Sequence, residues 1–238
     1  MNHTAAGVIS RRSTRALARA RSCAVVAALC WAAAARAAGG HHAVDDAAIL
    51  DPGLCKLEAW LTGARDDERV AHAGGGCRIG PVEFNAASEY ARDNGPSQTN
   101  SSLQAKWATQ LTPALGAGVS VVSDWQAHVR PRHQRTTLAA LLTWAVRDDL
   151  ALHANLGRDF VHAGSDQNRS GVAAEWTARP GWSLVAERYT ESRTQFVRAG
   201  VRWCVSDAWS IDFSRAQRLR GPGATNWTLG TTWQFQRP

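Results

Sequence analysis

Asn226-Trp227-Thr228-Leu229-Gly230-Thr231-Thr232-Trp233-Gln234-Phe235 puts large apolar groups at most odd positions and Asn, Thr, Gly and Gln at even ones. Alternate side chains of a pleated strand point to opposite faces, so this stretch has one apolar and one polar face. A helix would scatter the same residues around its circumference. Trp209-Ser210-Ile211-Asp212-Phe213-Ser214 repeats the pattern, and Val197-Arg198-Ala199-Gly200-Val201-Arg202-Trp203 repeats it with arginines on the polar face.

Working back toward the N-terminus, similar segments of about ten residues recur between turn clusters, the signature of membrane strands. The pattern predicts an all-β chain: a single antiparallel up-and-down transmembrane β-barrel of about 12 strands. These fall near 54–62, 69–79, 82–92, 101–110, 116–126, 135–146, 150–160, 169–178, 182–190, 194–205, 208–217 and 226–236. An even count closes a barrel with both termini on one side. The connections alternate as well. Gly80-Pro81, Thr112-Pro113 and Arg179-Pro180-Gly181 are tight, whereas 93–100, 127–134 and 219–225 are longer and more polar. Short turns on one side and long loops on the other are the asymmetry of outer-membrane barrels.

Aromatic positions test this independently. Trp107, Trp144, Trp176, Trp203 and Trp233 fall just before the short-turn end of even-numbered strands, all on the apolar face. Tyr90, Trp125, Phe160 and Trp227 sit near the opposite end. Two rings at two water interfaces are where amphipathic aromatic side chains settle in a membrane. A soluble β-sandwich, the competing fold, would instead gather its aromatics between two packed sheets. Trp60 is an exception, since its spacing from Lys56 and Glu58 puts it inward.

The first 38 residues hold six arginines and no acid, then an apolar run from Cys23, then small residues at Ala35-Arg36-Ala37. That order is a secretory signal. The expected organisation is a signal peptide over 1–37, a short periplasmic N-terminal segment over 38–53 and an outer-membrane barrel over 54–238. Removing those six arginines from the 27 basic residues leaves 21 against 20 acids. A nucleic-acid binder needs a basic footprint, so nucleic acid is excluded as a partner. No second apolar span exists, which excludes a helical membrane protein.

The polar face gives the candidate lumen and solute-contacting residues: Lys56, Glu58, Arg78, Glu83, Glu89, Lys106, Asp124, His153, Glu175, Glu187, Arg198, Arg202 and Asp212. Both signs are present. Two readings stay open: a polar pore for small hydrophilic solutes, or a lumen plugged by charges that pair across it. No cofactor is expected. No serine nucleophile accompanies His153 on its strand, so the chain is not read as an enzyme. His41-His42, near Asp45-Asp46, has the donor types of a transition-metal site, and a polar lead-in to the barrel is the alternative. Cys55 and Cys77 are equidistant from residue 66, the middle of the first long loop, which sets them opposite each other on adjacent strands. Directly opposed residues lie within disulfide range.

Asp45-Asp46-Ala47-Ala48-Ile49-Leu50-Asp51-Pro52-Gly53, leading into Leu57-Glu58, resembles the opening of outer-membrane proteins associated with meta-pathway phenol degradation. The resemblance implies a barrel transporter for aromatic compounds. The expected setting is therefore the outer membrane, with both termini facing the periplasm. The expected partners are outer-membrane lipid, the barrel-assembly machinery and a small solute that the sequence does not identify.

Overall fold

A computed structural model of the chain describes residues 41–64, 68–92 and 95–237. The expected signal peptide lies outside the described residues. Twelve strands are described: β1 (Leu54–Ala64), β2 (Arg69–Ile79), β3 (Val82–Arg92), β4 (Gln98–Thr112), β5 (Leu115–Gln126), β6 (His133–Arg147), β7 (Leu150–Val161), β8 (Gln167–Arg179), β9 (Trp182–Glu191), β10 (Thr194–Cys204), β11 (Trp209–Arg220) and β12 (Asn226–Gln236). Each pairs antiparallel with its chain neighbours, and β1 pairs with β12 from Leu54↔Gln236 to Ala64↔Asn226, closing the barrel. Closure leaves no sheet edge unpaired, which strands in hydrocarbon require. The largest departures from the expected bounds are the start of β4, at 98 against 101, and the end of β11, at 220 against 217. The soluble sandwich is thereby ruled out as the fold.

The alternation sorts the side chains as the period-two pattern demands. Leu156 is 70 % exposed and Val172 59 %, whereas Glu187 is 3 % and Asp212 2 % exposed. A water-soluble domain does the reverse, so the apolar outer surface is the face for lipid. Trp107, Trp144, Trp176, Trp203 and Trp233 are on it, with Tyr90, Phe160 and Trp227 toward the other rim. The tight turns rely on glycine where the backbone turns left-handed: Gly80 has φ +60° and Gly181 φ +77°. Only a residue without Cβ takes that conformation freely.

One expectation is changed. Residues 38–53 read as a lead-in outside the barrel, but the segment from His41 to Leu50 lies against the inner wall. Val44 is 0 %, Asp46 1 % and Ala47 2 % exposed. Val44 packs with Ala173, Tyr189, Phe196 and Ala216, and Ala47 with Ala139 and Leu141. Those wall residues form two apolar patches on an otherwise polar inner face. The reason for the change is long-range pairing: the groups that hold this segment come from strands 28 to 173 residues away in the chain.

Candidate functional site: the occupied lumen

The strands supply the wall, because every second residue points inward, and the segment 41–50 crosses it from the short-turn end upward. Near β1, Leu50 N donates to Glu83 Oε2 at 2.8 Å, and Arg78 Nη1 donates to Leu50 O at 3.0 Å. Farther along, Ala47 N donates to Thr143 Oγ1 at 2.8 Å. The Lys106 ammonium reaches Asp45 Oδ1 at 2.8 Å and Asp46 Oδ1 at 3.0 Å. Asn155 brackets the Asp45 backbone when its amide is oriented to satisfy both groups, donating to Asp45 O at 2.8 Å and accepting from Asp45 N at 2.7 Å.

At mid-barrel one carboxylate gathers the rest. Glu187 accepts from Val44 N at 2.9 Å and Ala43 N at 3.3 Å, and pairs with Arg198 at 3.0 Å. Arg198 Nη1 also donates to His41 O at 2.6 Å, and its Nη2 to the Tyr189 hydroxyl at 2.8 Å. His41 Nε2 meets Ser214 Oγ at 2.7 Å, and its ring stacks on His42 with centroids 4.6 Å apart. Burial, with the positive neighbours Arg198 and Arg202 adding to it, pushes the His41 imidazole down to about 2, so it is held neutral.

Glycine makes room for this path. A Cβ on Gly171 would stand 2.5 Å from Val44 Cγ2, and one on Gly116 would stand 3.1 Å from Ala47 O. The first position admits the segment because it carries no side chain, and at the second an added one would crowd the Ala47 carbonyl.

All thirteen lumen candidates face inward, and they divide by role. Glu83, Arg78, Lys106, Glu187 and Arg198 hold the segment. Lys56 pairs with Glu83 at 3.2 Å and Glu58 at 3.5 Å; Asp124 pairs with Arg135 at 2.6 Å, and Arg202 with Asp212 at 2.6 Å. Glu89 meets His72 Nδ1 at 3.1 Å, and the His72 ring stacks on Trp60 with centroids 3.3 Å apart. His153 Nδ1 meets Thr143 Oγ1 at 2.9 Å while its Nε2 stands 3.9 Å from Glu175. Thr143, His153 and Glu175 have the residue types of a proton relay. The Thr143 hydroxyl also accepts the Ala47 N–H, so of the three it is Thr143 that bonds the segment, with His153 behind it.

Two other candidates take definite places. Cys55 and Cys77 are directly opposed on β1 and β2 and joined in a disulfide, at a Cα separation of 4.0 Å. His41 and His42 do not meet Asp45 and Asp46 around one point: the carboxylates are spent on Lys106 and the imidazoles face Ser214 and Glu187. Among the described residues no group of three or more His, Cys, Asp or Glu side chains is placed to hold a metal ion. Sequence reasoning missed Thr143, Asn155, Tyr189 and Ser214 as partners of the segment. Inward parity was the signal available for all four, Tyr189 standing two residues from Glu187 and Ser214 two from Asp212.

A family model described as Uncharacterised conserved protein UCP029691 matches residues 25–235. The chain belongs to that family. No curated protein matches it. Among solved structures it is similar to the KdgM porin in complex with disordered oligogalacturonate, at 10 % identity and a TM-score of 0.60 over 77 % of this chain and 99 % of that one. It is similar too to the COG4313 outer membrane channel from Pseudomonas putida F1, at 11 % identity and a TM-score of 0.59 over 80 % and 98 %. The NanC porin follows at 8 % identity and a TM-score of 0.57 over 75 % and 98 %. At such identities the likeness establishes the fold, a porin-like barrel of the outer-membrane kind. These relatives are channels rather than enzymes.

Proposed function

We propose that this protein is an outer-membrane conduit for small solutes whose lumen is closed at rest by its own N-terminal segment. One observation carries the reading: residues 41–50 occupy the interior, their amides and carbonyls bonded to the charges that line it. The segment's hold is mostly polar. Its buried larger apolar side chains are Val44 and Leu50, with Ile49 half-buried beside Leu50, and full burial is worth about 1.5–3 kcal/mol for each of the first two. Once it leaves, water enters a wall of paired charges and solvates them, so release does not strand a dry charge. The vacated path is lined by groups suited to hydrophilic solutes.

Within that class, an aromatic compound fits the resemblance of residues 45–58 and the inward rings of Trp60, Tyr189 and Phe196. A metal-related cargo has only the stacked His41 and His42 in its favour. On this reading the chain reaches the outer membrane through the barrel-assembly machinery, after removal of the signal peptide.

Planar-bilayer conductance tests the proposal. The mature chain should conduct weakly and intermittently, and deletion of residues 41–50 should raise the mean conductance several-fold. A folded deletion variant that conducts no better than the parent overturns it. The full burial of Val44 favours a second reading, a non-conducting barrel in which the segment is simply core. That reading requires the deletion variant to lose stability and stay silent.

A further inference from the structure

The outer face breaks its apolar rule in one direction only. At the long-loop end Arg69, Arg92, Arg158, Arg188 and Arg215 occupy outward positions of β2, β3, β7, β9 and β11. Every strand carboxylate among the described residues faces inward. Charges placed only for solubility mix their signs, as the inner wall of these same strands does. At the opposite rim, Arg147 is paired with Asp149 at 3.0 Å and Arg179 lies over the Trp182 ring.

The depth of these arginines is fixed by the ladder. Arg215 is directly opposite Trp227, and Arg158 is two residues from Phe160, so both sit at the level of the upper aromatic ring. Arg188 and Arg215 flank β10, opposite Val197 and Ala199, which sets their strands about 10 Å apart. Arg158 is matched by Asp166 at 3.1 Å. Among the described residues Arg188 and Arg215 have no carboxylate partner.

We propose that Arg188 and Arg215 form a binding face for the phosphate groups of anionic lipid in the outer leaflet. The guanidinium fork matches phosphate geometry and bonds it bidentately. A long side chain rooted at the aromatic ring reaches the headgroup layer while its stem stays in hydrocarbon. The spacing of the two arginines suits a headgroup that carries more than one phosphate. The inference goes beyond conduction and rests only on the membrane orientation, with the long loops outward.

Native mass spectrometry of the full mature chain, folded in detergent, tests it. The probes are bisphosphorylated lipid A and the same lipid with its phosphates removed. The wild type should retain the phosphorylated form and release the other. The pair R188Q/R215Q should retain at least fivefold less, and R147Q/R179Q at the opposite rim should match the wild type. Equal retention of both lipids, an unaffected R188Q/R215Q, or an equal loss in R147Q/R179Q overturns the proposal. If the double variant does not fold, R188Q and R215Q singly are held to a twofold loss each, and a lesser loss counts against it. Heat-modifiable gel mobility is read on every sample, and its absence in the wild type would sink the membrane reading instead.

Discussion

Gly171 shows how much a single missing Cβ decides. It is on the inner side of β8, opposite Tyr189 of β9 and facing Val44 of the crossing segment. Adding a methyl group there would put its carbon 2.5 Å from Val44 Cγ2 and 3.0 Å from Tyr189 Cβ, so the segment or the ring must move. Overpacking of this kind costs about 1–3 kcal/mol. The strain falls on the seated segment, because the strand itself is locked in the ladder. Gly171→Ala is therefore expected to leave heat-modifiable mobility intact while raising the mean conductance and the rate of proteolytic cleavage within 41–50. A variant that seats its segment as firmly as the wild type would show that the contact is slack. Glu187 makes the same point with charge: one carboxylate accepts two segment amides and neutralises Arg198, so three elements depend on one side chain.

Among the elements, the first hairpin is the one with a covalent tie. Cys55 and Cys77 join β1 to β2 at the short-turn end, across a separation of 22 residues that includes the long loop after Ala64. Closing a loop of that size removes roughly 3 kcal/mol of chain entropy from the unfolded state. Because β1 also closes the barrel against β12, the tie stabilises closure as well as the hairpin. Cys55→Ser should lower the unfolding midpoint in urea by the equivalent of about 2–4 kcal/mol, and reduction of the wild type should do the same. Peptide mapping without reductant should recover the two cysteines linked, and recovery of both as thiols would refute the tie. This pairing was legible in the sequence, since equal distance from a loop centre sets register in an antiparallel pair. The twelve strands were legible for a related reason: hydrocarbon outside and charge inside write a period of two directly into the residues. The crossing segment was not. Ala43-Val44-Asp45-Asp46-Ala47 has no period, and its partners Lys106, Thr143, Glu187 and Arg198 come from β4, β6, β9 and β10, so nothing local distinguishes a seated plug from a solvated lead-in.

For the molecule as a whole, the proposed conduit passes between two states, segment seated and segment released, and on that reading protons distinguish them through His41. Seated, its imidazole is depressed to about 2 by burial and by the cations around it. Released into water it returns to about 6.5. The neutral form is the one that fits, so seating is fully favoured above pH 6.5. As pH falls below that value the released state takes up a proton that the seated state refuses. Each further pH unit then shifts the balance toward release by up to about 1.4 kcal/mol, a tenfold change in the ratio of the two states. Other groups at the contact also respond to acid, Asp45 among them. Its carboxyl is pushed up from the usual carboxylate range, chiefly by burial, which works toward seating as pH falls. The His41 contribution is therefore read as a difference between two proteins. Mean conductance should rise between pH 7 and pH 5 in the wild type, and His41→Asn, which keeps a polar side chain near Ser214 without a titrating ring, should flatten that rise. Equal pH profiles for the two chains would mean that His41 stays seated, or stays neutral, in every state that conducts.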